Sequence, residues 1–344
     1  MAYQTLGFLT APHLSALTPD DQRVLSYLEA MGIAVRPVLW PDPRWNQTPE
    51  ALLSGYLSGL DALVMRSCWT YHQMPEAFEA WTHQLDALAL RHHLPTHNKP
   101  AIFRANMDKR YLLHVQSQGH PVVPTHIVNT ARLKTLSQRQ ACEMLERSSP
   151  SSVLQNPLQH SLQTLVLKPV VSASGENTHL WPAETPLPLA EAIGSDAERL
   201  WMVQPLVESI TTHGEYSLIF FKGHLSHGVR KRPVTHAFLV HEEHGGMTEA
   251  HVPPADLLAV AQTLLHAPLW QETLAQQLYA RLDFVWYKAQ WCLMEVELIE
   301  PSLYLAYDPQ APARWARCLA FDTYGGHRRI MEQLEAADAK KTRM

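Results

Sequence analysis

The chain has 344 residues, 46% of them hydrophobic and 18% charged, a composition that excludes a chain disordered throughout and suits two or three globular domains. Its 28 basic and 33 acidic residues leave a net charge of −5, without the dense positive face that nucleic-acid binding needs. No apolar run reaches the roughly 18 residues of a membrane span, and the opening MAYQTLGFLTAPHL has no basic region or cleavage site of a signal peptide.

Residues 3–9 read as a short buried strand. Residues 20–31 have helical spacing, with Thr18 and Pro19 placed to start the helix and Gly32 to stop it. A second strand follows over 33–39, assigned to an edge by Pro37. A helix over 50–58 and a third strand over 61–65 complete the pattern of a small parallel α/β domain. In such sheets ligands sit beyond the carboxyl ends of the strands, and Arg66 to His72 occupy that kind of position. Helices are then expected over 75–91 and 107–118, separated by a linker at 97–100, with an extended stretch over 122–128. The polar segment 138–160 reads as a helix plus an exposed loop. From 165 onward β pattern dominates, over 165–169, 201–205, 215–221, 224–230, 284–287 and 292–298, with helices at 255–266 and 269–281. The charged last dozen residues read as a frayed tail.

Cys68, Cys142, Cys292 and Cys318 are widely spaced and make no CxxC pair, so a reduced, cytoplasmic protein is expected. Twenty histidines invite a metal reading. His241 and His244, however, are three apart instead of at HExxH spacing and run into Gly245-Gly246, while His92 and His93 would point apart on a helix.

Two clusters carry more chemistry. Lys168 ends an apolar strand, where its ammonium must find an anion or water. The small polar loop from Ser172 to Asn177 follows, and backbone N–H groups of such loops wrap phosphate oxygens; an ordinary surface turn is the alternative. Glu295 and Glu297, two apart on a strand, share one face and repel unless a cation sits between them. Asp283 on the preceding strand can face the same point, giving three hard oxygen ligands suited to Mg²⁺, against the alternative of a solvent-facing acidic strand. Arg281 would balance that charge and could hold a developing oxyanion. The strand 202–207 reads either as core or as an edge offering backbone groups to a base, and the basic run 230–233 either as an anion site or as a solvated face.

The ordered set Lys109, Val-Leu-Lys168-Pro, the Ser/Gly loop, Gln204-Pro-Leu-Val, Gly214-Glu215, Arg281-x-Asp283 and Glu295-x-Glu297 resembles the ATP-grasp carboxylate ligases over roughly residues 60–305. Within that superfamily the chain looks like the glutathione-synthetase-like branch. It is most similar to the cyclo-ligase group that closes O-ureido-serine to cycloserine, through the segments 65–72, 106–113, 226–233, 242–246 and 294–305. The resemblance implies an ATP-grasp fold: an N-terminal Rossmann-like parallel α/β domain (1–100) and two α+β subdomains (101–205 and 206–330) clasping ATP, then a tail (331–344).

It also implies roles. Lys109 and Lys168 would contact the ATP phosphates under a mobile loop that includes Ser172, Ser174 and Gly175. Gln204, Pro205, Leu206 and Val207 would line the adenine, and Glu215 would take the ribose hydroxyls. Asp283, Glu295 and Glu297 would hold Mg²⁺, or Mn²⁺ in its place. Arg281, with Arg230 or Lys231, would stabilise an acyl phosphate. Arg66, Ser67, Trp69, Tyr71, Ser302 and Tyr304 would meet a small amino-acid-like substrate, Arg66 by pairing with its carboxylate. Two positions depart from the family pattern: Glu297 stands where most members carry Asn, and Leu239 where relatives often carry Arg. The implied activity is Mg²⁺- and ATP-dependent activation of a carboxylate for attack by a nitrogen nucleophile, between molecules or within one. The alternatives are a peptide ligase of glutathione-synthetase type and a catalytically silent ATP-binding regulator. A homodimer is the default assembly, with no nucleic-acid or membrane partner.

Overall fold

A computed structural model describes residues 4–148, 163–183, 185, 193–194, 196–234, 239–240, 245–269 and 272–320. The part of the expected helix-plus-loop segment 138–160 that follows residue 148, His241 to His244 and the tail lie outside the described residues.

The first sheet is parallel, with β1 (Thr5–Thr10), β2 (Ala34–Leu39), β3 (Ala62–Ser67) and β4 (Thr96–His97) in the order β2-β1-β3-β4. Pro37 is tolerated because β2 is an edge strand. Helix α1 (Pro19–Ala30) starts where Thr18 accepts the Asp21 N–H at 3.1 Å. Helix α2 (Pro49–Ser54) is shorter than the pattern at 50–58 suggests: it stops at Gly55, and the Leu57 N–H turns back to the Leu52 carbonyl at 2.7 Å. Helix α3 (Pro75–His92) packs Phe78, Trp81, Leu85 and Leu88 against Trp40 and Trp45.

Residues 97–100 are no free linker. Buried Asn98 donates to the carbonyls of Tyr279 (3.0 Å) and Leu298 (2.9 Å) and accepts from the Leu278 N–H (2.8 Å). The helix expected over 107–118 is two helices, α4 (Pro100–Met107) and α5 (Tyr111–Ser117). Between them the Asp108 side chain accepts from the Arg110 N–H (2.9 Å), and the Lys109 N–H donates to the Val170 carbonyl (2.8 Å). An Asp side chain competes with the helix for backbone groups in this way. Lys109 sits in the break.

The second sheet is antiparallel: β5 (His126–Asn129), β6 (Leu165–Pro169), β7 (His179–Trp181) and β8 (Leu200–Pro205), in the order β5-β8-β6-β7. Helices α6 (Thr130–Leu133) and α7 (Gln138–Ser148) cover it around Leu133, Leu145, Trp181 and Trp201.

The third sheet, also antiparallel, orders β9 (Glu215–Phe221), β10 (His224–Arg232), β11 (Met247–Ala250), β12 (Tyr279–Tyr287) and β13 (Gln290–Glu297) as β11-β10-β9-β12-β13. Helix α8 (Ala255–Leu265) packs Leu257, Ala261 and Leu264 against Leu218 and Phe284. Helix α9 (Ala311–Ala320) places Trp315 among Leu6, Phe8, Val24, Phe221 and Tyr279, joining the first and third sheets in one core. The helix expected over 269–281 does not form among the described residues. Leu274–Gln276 makes one 3₁₀ turn, Gln277 is extended, and β12 begins at Tyr279. Pairing with β9 from Tyr279 to Val285 overrides the helical spacing. Lys288 and Ala289, both at positive φ, form the two-residue turn between β12 and β13. Among the described residues no helix is long and apolar enough to cross a membrane.

Candidate functional site

Alternation along β13 points Glu295 and Glu297 one way and buries Val296 and Leu298 on the other. On β12, Asp283 lies opposite Glu295 and Arg281 opposite Glu297. Ligand oxygens of Asp283, Glu295 and Glu297 all lie within 4.8 Å of one another. Arg281 donates to Asp283 (Nη2 to Oδ2, 2.9 Å) and to Glu297, with its guanidinium 5.5 Å from the Tyr304 ring centre. Lys231 reaches across from β10, bonded to Glu215 and 3.5 Å from Asp283. Gly214 is required before Glu215: it holds φ +84°, and a Cβ there would meet the Lys231 carbonyl at 2.8 Å.

The opposite wall comes from the second sheet. Lys168 ends β6, and Lys109 enters from the helix break, its Nζ 3.1 Å from Glu295 and bonded to the Ser172 carbonyl. In the loop that follows, Ser174, Gly175 and Asn177 are left-handed, a conformation that turns successive N–H groups toward one side. His72 bonds Glu176 of this loop at 2.7 Å.

These walls enclose a cavity of about 220 Å³, which Trp69 and Tyr71 also line. It is lined by Lys109, Lys168, Ser172, Ser174, Gly175, Gln204, Pro205, Leu206, Val207, Glu215, Arg281, Asp283, Glu295, Glu297, Ser302 and Tyr304. Gln204 is fixed by its bond to Thr125 (2.8 Å), and the Leu206 N–H is committed to the Thr164 carbonyl (2.9 Å).

Four residues expected at the site do not line the cavity. Lys231 is one step behind it, acting through Glu215 and Asp283. Arg230 is corrected: it is on the other face of β10, bonded to Glu249 at 2.7 Å, because successive strand residues point to opposite faces. Arg66 is also corrected. It is 2% exposed and paired with fully buried Asp21 at 2.6 Å, so its charge is met from within the fold. Ser67 shares a 2.6 Å hydrogen bond with Thr10 and is likewise internal. Of the aromatic pair, Trp69 donates to the Glu300 carbonyl at 3.0 Å, and Tyr71 packs on Phe78 while facing the cavity.

Three residues escaped the sequence reading. Asn106 and Tyr111 fasten the carboxylate strand: Asn106 bonds the Val296 carbonyl (2.8 Å) and Leu298 N–H (2.9 Å), and the Tyr111 hydroxyl bonds both backbone groups of Val296. Glu300 lines the cavity three residues after Glu297; its signal was a carboxylate in the apolar run Leu298-Ile299 before Pro301.

The charges balance closely. Burial favours the neutral form of Asp283, but Arg281 and Lys231 outweigh it and draw the carboxyl down to about 2. Burial likewise opposes ionisation of Glu295, and Lys109 and Lys168 prevail, holding it below its ordinary value. Burial pushes Glu297 up to about 8; Arg281 offsets this only in part, and Glu295 and Asp283 add repulsion. Burial works against the Lys231 ammonium too, yet Asp283 and Glu215 keep it charged. Glu295 and Glu297 remain 27% and 22% exposed, so a cation can reach them. Three hard oxygen donors converging on one point fit Mg²⁺ or Mn²⁺, whose charge would reverse the repulsion at Glu297.

Comparison with known proteins agrees with this geometry. The model of the D-cycloserine synthetase DcsG N-terminal domain matches residues 6–93. The cycloserine biosynthesis protein DcsG of Streptomyces lavendulae is 27% identical over 273 residues, 76% of this chain and 83% of that protein. The crystal structure of D-cycloserine synthetase DcsG superposes with a TM-score of 0.70 at 22% identity, over 92% of this chain and 98% of that one. The ATP complex of D-alanine–D-alanine ligase from Bacillus anthracis gives a TM-score of 0.58 at 13% identity, over 93% and 97% of the two chains. An ATP-grasp RimK domain protein from Sphaerobacter thermophilus also gives 0.58, at 14% identity over 93% and 99%. Three sheets around one charged cavity thus match a known architecture: the chain has the ATP-grasp fold and is similar in sequence to the cycloserine biosynthesis protein DcsG.

Proposed function

We propose that the chain is an ATP-dependent, ADP-forming ligase that activates a small amino-acid-like carboxylate and joins it to a nitrogen nucleophile. The observation that carries this reading is the convergence of Lys109, Lys168 and Arg281 with Asp283, Glu295 and Glu297 on one cavity. Gathering that many buried charges is costly unless a ligand of alternating charge completes the set.

Lys109 and Lys168 would draw the phosphates to the mouth of the left-handed loop, whose N–H groups would wrap them. Gln204 to Val207 would face the base, and Glu215 the ribose. Asp283, Glu295 and Glu297 would hold Mg²⁺ or Mn²⁺, which when bound withdraws charge from phosphate oxygens. The substrate carboxylate would attack the γ-phosphorus, the bond to ADP would break, and an acyl phosphate would form. The nitrogen lone pair would then attack the acyl carbon, phosphate would leave with the C–O electron pair, and the nitrogen would lose a proton. Arg281 would meet the developing oxyanion, and Trp69 and Tyr71 would keep water from the labile intermediate.

The similarity to DcsG favours a ring-closing reaction within one substrate such as O-ureido-serine. Dependence on ATP and four free, buried cysteines suit the cytoplasm. The test is substrate-dependent ADP release with Mg²⁺ across O-ureido-serine, free amino acids and γ-glutamyl dipeptides, with every product weighed. A product one water lighter than its substrate, or for O-ureido-serine one that has also lost the carbamoyl group as carbon dioxide and ammonia to give cycloserine, supports cyclisation. One equal to two substrates less a water supports intermolecular ligation, as a glutathione-synthetase-like enzyme would give. Silence across the panel with ATP bound contradicts the ligase reading and supports a regulator that binds the nucleotide without turnover.

A further inference from the structure

Five carboxylates line the cavity, and four have a cation of the protein beside them. Glu295 pairs with Lys109, Asp283 and Glu297 with Arg281, and Glu215 with Lys231. Glu300 is the fifth, and among the described residues it forms no ion pair. It is 7% exposed and lines the cavity, next to Trp69. Its backbone is anchored: the Glu300 carbonyl accepts from Trp69 at 3.0 Å, and the next carbonyl, of Pro301, accepts from Arg66 at 3.4 Å. This segment therefore presents to the cavity a carboxylate with no cation at ion-pair distance, Lys109 and Arg281 acting on it only from farther off. A buried carboxylate in that position is costly unless a positive group meets it. In an α-amino acid the amine sits on the carbon that bears the carboxylate, so a substrate whose carboxylate faced Arg281 would hold its ammonium within a few ångströms, in reach of a carboxylate that itself feels Arg281.

We propose that the Glu300 carboxylate receives the ammonium group of the amino-acid substrate and so sets the preference for substrates with a free amine. This rests on the ligase reading above. Glu300 is a binding and specificity residue here, distinct from the carboxylates facing the phosphates.

The test compares the wild-type chain with Glu300→Gln and Glu300→Asp in ADP release. The probes are both enantiomers of O-ureido-serine, each beside the analogue whose α-amine is replaced by hydrogen and whose ureido nitrogen, the nucleophile, is kept. For each compound the wild type turns over, loss of a charge-assisted contact predicts about a 30-fold preference for the amine. In Glu300→Gln the KM of the amine should rise at least about tenfold while that of the analogue stays level, so the preference collapses. Glu300→Asp should keep part of it. ATP affinity by calorimetry should stay within about twofold in both variants, a readout that a merely structural role would move. A preference unchanged in Glu300→Gln overturns the assignment. Loss of ATP binding in both variants overturns it too, by marking Glu300 as structural. If the wild type itself releases no ADP with any probe, the ligase reading fails first and this inference falls with it, which is a different result from an active wild type with an indifferent variant.

Discussion

The cavity has two ends that handle charge differently. At the proposed phosphate end, Asp283, Glu295, Glu297, Arg281 and Lys168 on β12, β13 and β6, with Lys109 from the break between α4 and α5, turn inward onto one cavity. At the proposed substrate end, Arg66 and Ser67 of β3 turn into the core instead, leaving Trp69, Tyr71 and Glu300 on the cavity. The difference lies in the sheets. An antiparallel strand with one face on a cavity shows its orientation through alternation, so Glu295-x-Glu297 declares a shared face. The parallel strand β3 is buried on both faces, and alternation there cannot say which side chain meets a ligand. Arg66 is settled by Asp21, 45 residues away on α1, a pairing that no local pattern contains.

Breaking the phosphate end should have the largest effect. Asp283→Asn removes a proposed cation ligand and the partner of two buried cations, and should lower ADP release by at least about a thousandfold, roughly 4 kcal/mol. Melting temperature measured alongside separates lost chemistry from lost fold; near-normal turnover would remove Asp283 from the site.

The second break falls on the other end and on stability. Arg66→Ala strands the Asp21 carboxylate in the core and should cost about 3–5 kcal/mol in urea unfolding. If the variant is as stable as wild type but shows a raised substrate KM, Arg66 is a substrate ligand after all.

A pH titration of stability sharpens the same contrast. His227 on β10 holds the segment after Glu300, its Nε2 bonded to the Leu303 carbonyl at 2.9 Å. Burial lowers its pKa to about 4. Between about pH 6.5 and that value the unfolded chain takes a proton that the folded chain refuses, so stability should fall as pH drops through this window, by roughly 3 kcal/mol at most. His227→Gln should flatten that part of the curve; an unchanged acid limb would show that this imidazole does not contribute.

Smaller effects separate neighbours. Lys168→Ala should weaken ATP binding by about ten- to a hundredfold, the loss of one charge-assisted phosphate contact. Arg230→Ala, on the far face of β10, should change kcat/KM by less than about twofold, whereas Lys231→Ala should impair it strongly. Equal effects of the two would contradict the facing of β10 described above.

Much of the fold was legible because its signals are local. Thr18 with Pro19, Pro37 at an edge, and the alternation around Glu295 each act within a few residues. The missed features depend on distant partners. The break at Asp108 that delivers Lys109 is held by Val170, and the strand that replaces the helix expected at 269–281 is held by β9. Asn98 looked like part of a linker because its three backbone partners lie some 180 to 200 residues away. The acidic strand was visible, but not the second layer, Asn106 and Tyr111, that holds it in place.

The most direct test of the central claim is equilibrium binding of a non-hydrolysable ATP analogue, with and without Mg²⁺, to the wild type and to Glu295→Gln. If the cavity is a Mg²⁺-ATP site, the wild type should bind saturably, and affinity should drop at least about tenfold on removing Mg²⁺ or on neutralising Glu295. Binding indifferent to both, or no binding by a folded wild type, would contradict it.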